Sequence, residues 1–338
     1  MARHRALPTR RRFLKGSLAV AGLGLCSGCG LVSIPGQRPG LPRIGYLGAG
    51  SATNTSTREF LAGMRDLGYV EGRTVHIDWR FDEGRSERLP DLAAELVQLK
   101  PDVLVAGGST PPAVAAKRAT STIPIIFMAV SDPIGTGLIA SFAHPEGNAT
   151  GTSNISAEVS AKRLQMVKEL LPSATRVDYM LNGGNPAAEP EWRGVQEPAR
   201  QLGLTLRQQD GRDADRVEQA FDAMAGARPD AIIVIADGAI YEHRRQIVEL
   251  AMSVGAPLIA NHRDFVELGG LLMYGADLAD NFRRSAIYVD KVLKGAKPAE
   301  LPVERPTRFD VIVNLKAAQA LGLTVPQSVL SQATEIIQ

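Results

Sequence analysis

The chain reads as an α/β protein built from two similar, doubly wound lobes with parallel sheets. Three observations predict this. From Arg43 onward short β-branched runs alternate with helical ones, the order strand, glycine-bearing turn, helix, proline-led strand occurs twice, and a 338-residue chain that is 44% hydrophobic can fill two separate cores.

In the first half, Ile44-Gly45-Tyr46-Leu47 is a strand and Thr55 to Leu67 has helical spacing at Phe60, Leu61, Met64 and Leu67. Thr74 to Trp79 is the next strand, Leu89 to Leu99 the next helix, Val103 to Ala106 a buried strand, and Ile125 to Phe127 a strand after Pro124. In the second half, Val177 to Leu181, Thr205 to Arg207, Ile232 to Ile235 and Pro257 to Ile259 read as strands. Ala187 to Leu202, Val217 to Ala225 and Glu242 to Val254 read as the helices between and beside them. The halves match in detail. Val103-Leu104-Val105 runs into Gly107-Gly108-Ser109-Thr110 as Ile233-Val234-Ile235 runs into Ala236-Asp237-Gly238, and the proline-led strands reach Asp132 and Asp264.

Leu271 to Gly275 and Phe309 to Asn314 are late strands, with a helix over Asp277 to Leu293 between them. Strands so far downstream complete earlier sheets, so the chain crosses between lobes more than once, and crossings make a hinge. The expected boundaries are 43–150 for the first lobe, completed by about 271–304, and 151–270 for the second, completed by about 305–338.

The first 28 residues read as an export signal. Thr9-Arg10-Arg11-Arg12-Phe13-Leu14-Lys15 has the twin-arginine pattern, an apolar run Gly16 to Leu25 follows, and Cys26-Ser27-Gly28-Cys29 closes it. The apolar run is about half the ~20 residues of a membrane span, so the expected anchor is lipid on Cys29, with Gly28 the small residue before cleavage. Residues 29–42, with Pro35, Gly36, Pro39, Gly40 and Pro42, read as a flexible tether. The expected location is the periplasm or the outer face of the cell membrane.

Composition excludes several functions. The signal holds six Lys/Arg and no acid, and removing it from 38 basic and 36 acidic residues leaves 32 against 36, formally −4. A mildly acidic chain carries no footprint for nucleic acid. Cys26 and Cys29 are the only cysteines, and His4, His76, His144, His243 and His262 have no zinc spacing, so no metal site is expected. GxSxG, GxxxxGK[ST] and GxGxxG are absent, so neither a catalytic residue nor a cofactor is expected.

What recurs is a polar, glycine-bearing turn at the carboxyl end of a strand, where backbone amides and helix N-termini of open α/β sheets converge on ligands. Such turns lie at 48–51, 107–110, 130–133, 182–185 and 236–238. Their chemistry suits a zwitterion: Ser51, Ser109 and Thr110 with their amides for a carboxylate and Asp132 or Asp237 for an ammonium, with Asn182 and Asn185 of the 182–185 turn as further ligand-binding candidates. Each of these residues taken alone is also an ordinary helix N-cap. Among the sparse aromatics, Tyr274 at a strand end near the hinge and Tyr241 after the Asp237 turn can line an apolar cleft, whereas Trp79 and Trp192 read as packing residues.

Several stretches together are family-specific. Gly68-Tyr69-Val70-Glu71-Gly72-Arg73, Lys100-Pro101-Asp102-Val103, Thr122-Ile123-Pro124-Ile125, Ser131-Asp132-Pro133-Ile134-Gly135-Thr136-Gly137-Leu138, Gly269-Gly270-Leu271-Leu272-Met273-Tyr274-Gly275 and Ile312-Val313-Asn314-Leu315-Lys316-Ala317-Ala318 stand in the order of the ABC-type substrate-binding proteins of the tryptophan/tyrosine-transporter group. The chain resembles that group over nearly all of 43–338. The resemblance implies a periplasmic-binding-protein type I fold of two Rossmann-like lobes with three crossovers between them, and delivery of a small molecule to a membrane permease with its ATPase. It further implies an aromatic amino acid whose carboxylate and amine are held by turns matching Ser109-Thr110 and Asp132. Two departures stand out: Leu181-Asn182-Gly183-Gly184-Asn185-Pro186 replaces the family's Asn-Pro-Asn-Asn-Pro, and the signal is of the twin-arginine type. A sensor ectodomain or accessory lipoprotein with the same fold is the alternative reading.

Overall fold

The computed structural model describes residues 40–338, with Ala157 described by its backbone alone; the signal, Cys29 and nearly all of the tether lie outside the described residues. The first elements are β1 (Arg43–Gly48), α1 (Thr55–Asp66), β2 (His76–Phe81), α2 (Leu89–Gln98), β3 (Val103–Gly107), α3 (Thr110–Ala119), β4 (Ile125–Val130) and β5 (Ala149–Ser153). Their five strands form one parallel sheet in the order β2-β1-β3-β4-β5.

The chain continues through α4 (Ser156–Leu170), β6 (Arg176–Leu181), α5 (Ala188–Gln201), β7 (Thr205–Asp210), α6 (Ala214–Ala227), β8 (Ala231–Val234), α7 (Gly238–Glu242), α8 (Arg244–Ser253) and β9 (Leu258–Ala260). After these come α9 (Arg263–Glu267), β10 (Leu272–Ala276), α10 (Leu278–Leu293), β11 (Phe309–Asn314), α11 (Leu315–Ala320), α12 (Gln327–Leu330) and β12 (Glu335–Ile337). The second sheet has the order β12-β11-β10-β9-β8-β6-β7 and is parallel except for the β10–β11 pair. Central strands such as β3, β4 and β8 are buried along their whole length. That is why they read as unbroken apolar runs and not as alternating ones.

One expectation needs correction. The stretch Leu272–Ala276 joins the second sheet beside β9 and does not complete the first lobe. The reason is local: α9 is only five residues long, and so short a β-α-β connection sets its second strand next to its first, parallel to it. The helix expected over Glu242 to Val254 is α8, which the short α7 precedes with His243 between them.

By contrast α10 packs on the first sheet, where Phe282, Ala286 and Val289 share a core with Phe60 and Met64 of α1 and Ile126 and Met128 of β4. Among the described residues the chain therefore passes between the lobes three times: at Asn154–Ile155, at Asp277, and over residues 305–308. The passages are tied together. Thr152 bridges Glu304 in parallel, and Asn281 Nδ2 donates to Ser153 O at 2.9 Å. Ile155 sits in the left-handed region at φ 44°, a costly conformation for a β-branched residue, and it marks where the chain is bent out of the first lobe.

The α1–α10 contact is unusually close. A methyl at Gly63 would stand 2.3 Å from the Arg283 carbonyl oxygen, which is backbone and cannot swing aside. Alanine is the better helix former by about 1 kcal/mol, but overpacking costs roughly 1–3 kcal/mol and should win. Gly63→Ala is therefore expected to lower the denaturant midpoint; an unchanged or higher midpoint would show that the two helices have slack.

Candidate ligand-binding site

The carboxyl ends of both sheets face a cleft whose empty space, open solvent included, is about 600 Å³. Each end contributes a short turn. From the first lobe come Ala49 after β1, Gly108 and Ser109 after β3, and Ser131 after β4; from the second come Ala236 and Asp237 after β8 and His262 after β9. Asn54, Thr55 and Ser56 at the start of α1 and Asn154 at the first passage complete the polar wall. Such a site follows from parallel strands, whose ends leave amides and helix starts pointing the same way.

Ser109 precedes α3 and is only 6% exposed, yet its Oγ makes no hydrogen bond among the described residues and lines the cleft. A buried hydroxyl without a partner costs free energy unless something else supplies one. Pro111 and Pro112 follow in the first turn of α3 and carry no N–H, so the polar groups at this helix start are concentrated at Ser109 and Thr110. Thr110 does not line the cleft; its hydroxyl accepts from Ser131 N at 3.3 Å and holds the next turn in place. Ala129, also on the cleft wall, has φ 55° at a bulge in β4, which turns the strand end toward Ser131.

On the opposite wall Asp237 caps α7. Its Oδ1 accepts from the amides of Ala239 and Ile240, both at 3.1 Å, and its Oδ2 accepts from Asn182 Nδ2 and Asn185 Nδ2, both at 2.8 Å. Burial pushes the carboxyl above the usual aspartate range, and these hydrogen bonds pull it back down. Asn185 lines the cleft beside Asp237, whereas Asn182 is buried behind it and acts as its support.

One end of the cleft is aromatic. The rings of Tyr241 and His262 meet edge to face with centroids 4.7 Å apart, and Phe282 and Leu278 come from α10 in the other lobe. Tyr241 is fixed on its outer side. The Arg244 guanidinium lies 4.2 Å from its ring centroid, and its hydroxyl donates to Asp264. Burial and that acceptor push the phenol up to about 12.

Residues 49–337 match the family model described as ABC transporter substrate binding protein. The chain belongs to this family. It is accordingly a substrate-binding protein of a transporter, working outside the cytoplasm, and not an enzyme. This substrate-binding protein is 28% identical over 265 residues to a tyrosine-binding protein of Clostridioides difficile, covering 78% of this chain and 75% of that one. A Streptococcus pneumonia ABC domain solved in complex with L-Trp shares 28% identity and superposes with a TM-score of 0.80 over 88% of this chain and 100% of that one. A conserved domain protein of Vibrio cholerae gives 0.81 at 28% identity with the same coverage. The architecture is that of the type I periplasmic binding proteins.

Of the residues singled out from sequence, Ser109, Asn185 and Asp237 line the cleft of this substrate-binding protein. Asp132 does not. Its Oδ1 accepts from Gly135 N at 2.8 Å and its carbonyl from the Thr136 hydroxyl, so the side chain is folded into its own turn. Tyr274 is also elsewhere, stacked on Phe309 at 6.2 Å against the second-lobe core. Ser51 faces the other lobe and not the cleft. The sequence points to Ser131 only through the 130–133 turn, and it gives no specific pointer to Asn54, Thr55, Asn154, His262 or Phe282. A polar cluster after each strand end was the available signal for most of these; nothing marked Phe282, an interior helix residue.

Among the described residues no group of three His, Cys, Asp or Glu is placed to hold a metal ion, and no helix is long and apolar enough to cross a membrane.

Proposed function

We propose that the protein captures an aromatic amino acid, with the free Ser109 hydroxyl as the single observation that carries this reading. In it, the guest's carboxylate accepts from Ser109 and neighbouring amides at the start of α3. The ammonium lies against Asp237 Oδ2 and the Asn185 side-chain oxygen, and the ring enters the wall formed by Tyr241, His262 and Phe282. Likeness to a tyrosine-binding protein and to a protein solved with L-Trp supports the guest class. The amine goes to Asp237 and not to Asp132, because Asp132 is outside the cleft lining.

We further propose that the chain is exported by the twin-arginine route, lipid-anchored on Cys29, and hands its guest to an ABC permease and ATPase of an importer. Mass spectrometry of the membrane-extracted N-terminus tests the anchor; an unmodified Cys29 sinks it.

Calorimetry with L-tryptophan, L-tyrosine and L-phenylalanine tests the guest. Binding of none of them overturns the proposal. Ser109→Ala should weaken the best of these ligands by about tenfold, the worth of one hydrogen bond to a charged group. The same variant should leave the thermal midpoint of the guest-free protein unchanged or slightly raised, since the hydroxyl has no partner there. A fall in stability with unaltered affinity would assign Ser109 to the fold instead.

A further inference from the structure

The turn at 48–51 has the chemistry of a guest-binding loop but Ser51 does not reach the cleft. The structure gives the turn other work. It is pinned within its own lobe: Asp82 Oδ1 accepts from Gly50 N at 2.7 Å and from Gly84 N at 3.0 Å, and Asn54 Nδ2 donates to Ala49 O at 2.8 Å. Across the gap stands α7, a single helical turn of the second lobe. Three of its five residues meet the first lobe. An added methyl at Gly238 would lie 2.3 Å from Ala49 Cβ, Tyr241 lies against Thr55 at the cleft, and Glu242 Oε1 accepts from Ser51 N at 3.2 Å.

Both glycines of this contact are required by it. Gly50, at φ 74°, would bring any Cβ to 2.6 Å from Glu242 Oε1, and Gly238 leaves just enough room for Ala49. The contact is therefore shaped for close approach of backbones, and it leaves a carboxylate of one lobe on an amide of the other. The residue before α7 is Asp237, which lines the cleft. Guest contact and lobe contact thus sit on one rigid helical turn.

We propose that α7 is the catch that holds the lobes shut, with Glu242 a positioning residue that sets how long a guest stays without touching it. The kinetic part rests on the proposed guest reading; the conformational part does not. Closing contacts that form after capture slow release and leave capture alone, because the first encounter needs only an open cleft. A glutamine retains an acceptor oxygen for Ser51 N, whereas an alanine does not.

The experiment compares the mature wild-type protein with Glu242→Ala and Glu242→Gln. Stopped-flow fluorescence with L-tyrosine and L-tryptophan should give release about tenfold faster for E242A, capture within about twofold, and an unchanged ratio of the two affinities. E242Q should release within about twofold of wild type. Small-angle scattering of the guest-free proteins should give a larger radius of gyration for E242A than for the other two. Wild-type release from E242A, or equal radii, overturns the catch. If neither amino acid binds wild type, the guest reading fails by itself and the scattering comparison alone decides the catch.

Discussion

Asp237→Asn is expected to weaken an aromatic amino acid by about 100-fold while barely changing the affinity of the same molecule lacking its amine. Removing one partner of a desolvated charge pair costs roughly 2–5 kcal/mol, and about 100-fold lies within that range. The substitution is nearly isosteric, so the cap on α7 can persist through the remaining oxygen. Its new amide, however, faces the Asn182 and Asn185 amides where Oδ2 accepted from both at 2.8 Å. Donor then meets donor, which compounds the loss of charge. Calorimetry with the amino acid and its des-amino analogue separates the two effects. Equal losses for both would mean that the wall has collapsed and that Asp237 does not hold the amine.

The same residue sets a pH dependence. Burial raises the Asp237 carboxyl above its ordinary range, so it takes up a proton at a higher pH than an unfolded aspartate does. Ammonium is held by the ionised form. Guest affinity should therefore fall as pH is lowered through this raised value, beginning above the usual aspartate range. For the guest-free fold the sign is opposite. The stabilisation from protonated Asp237 is complete below the unfolded aspartate value and is lost as pH rises through the folded one, so at neutral pH the free carboxylate is a cost that a bound ammonium offsets.

The largest loss of stability is expected at Arg163. Its side chain is 2% exposed on α4, with Nε donating to Tyr274 O and Nη1 to Ser160 Oγ, both at 2.7 Å. Ser160 Oγ in turn donates to Glu191, which also accepts from the Tyr179 hydroxyl at 2.8 Å. Desolvation pulls the Arg163 guanidinium below its usual value and pushes the Tyr179 phenol well up, as expected where water is excluded. Arg163→Met strips the donors from Tyr274 O and Ser160 Oγ and removes the cation linked through Ser160 to the buried Glu191 carboxyl, which together cost about 3–5 kcal/mol. That corresponds to a thermal midpoint lower by roughly 6–15 °C. Adding Glu191→Gln removes the stranded charge but keeps an acceptor for Tyr179, so the double variant should be more stable than Arg163→Met alone. A double variant less stable than the single one would mean that packing, and not charge, carries the site.

This network also explains why Tyr274 packs away from the cleft. Tyr274 lies in the middle of β10, three residues before the passage at Asp277, a position from which a ring can enter a cleft. Its direction is decided by β11, which pairs antiparallel with β10 and offers Phe309 as a stacking partner, while Arg163 takes the Tyr274 carbonyl. Neither partner is near Tyr274 in the chain. Asp132 is the opposite case, a residue held by its own turn: its Oδ1 accepts from Gly135 N, three residues on.

By itself the sequence determined the alternation of strands and helices, the duplication of the lobes, and the polar turns that follow β3, β6 and β8. These depend on hydrophobic period and on turn chemistry, both of which act over a few residues. Ser109, Asn185 and Asp237 were legible for the same reason, since any parallel sheet delivers its strand-end turns to one edge. Tertiary structure alone decided that β10 joins the second sheet, that Phe282 on α10 reaches the cleft, and that Ser51 meets Glu242 across 191 residues of chain. Such pairings are set by which surfaces the three passages bring together, and no spacing within either partner records them.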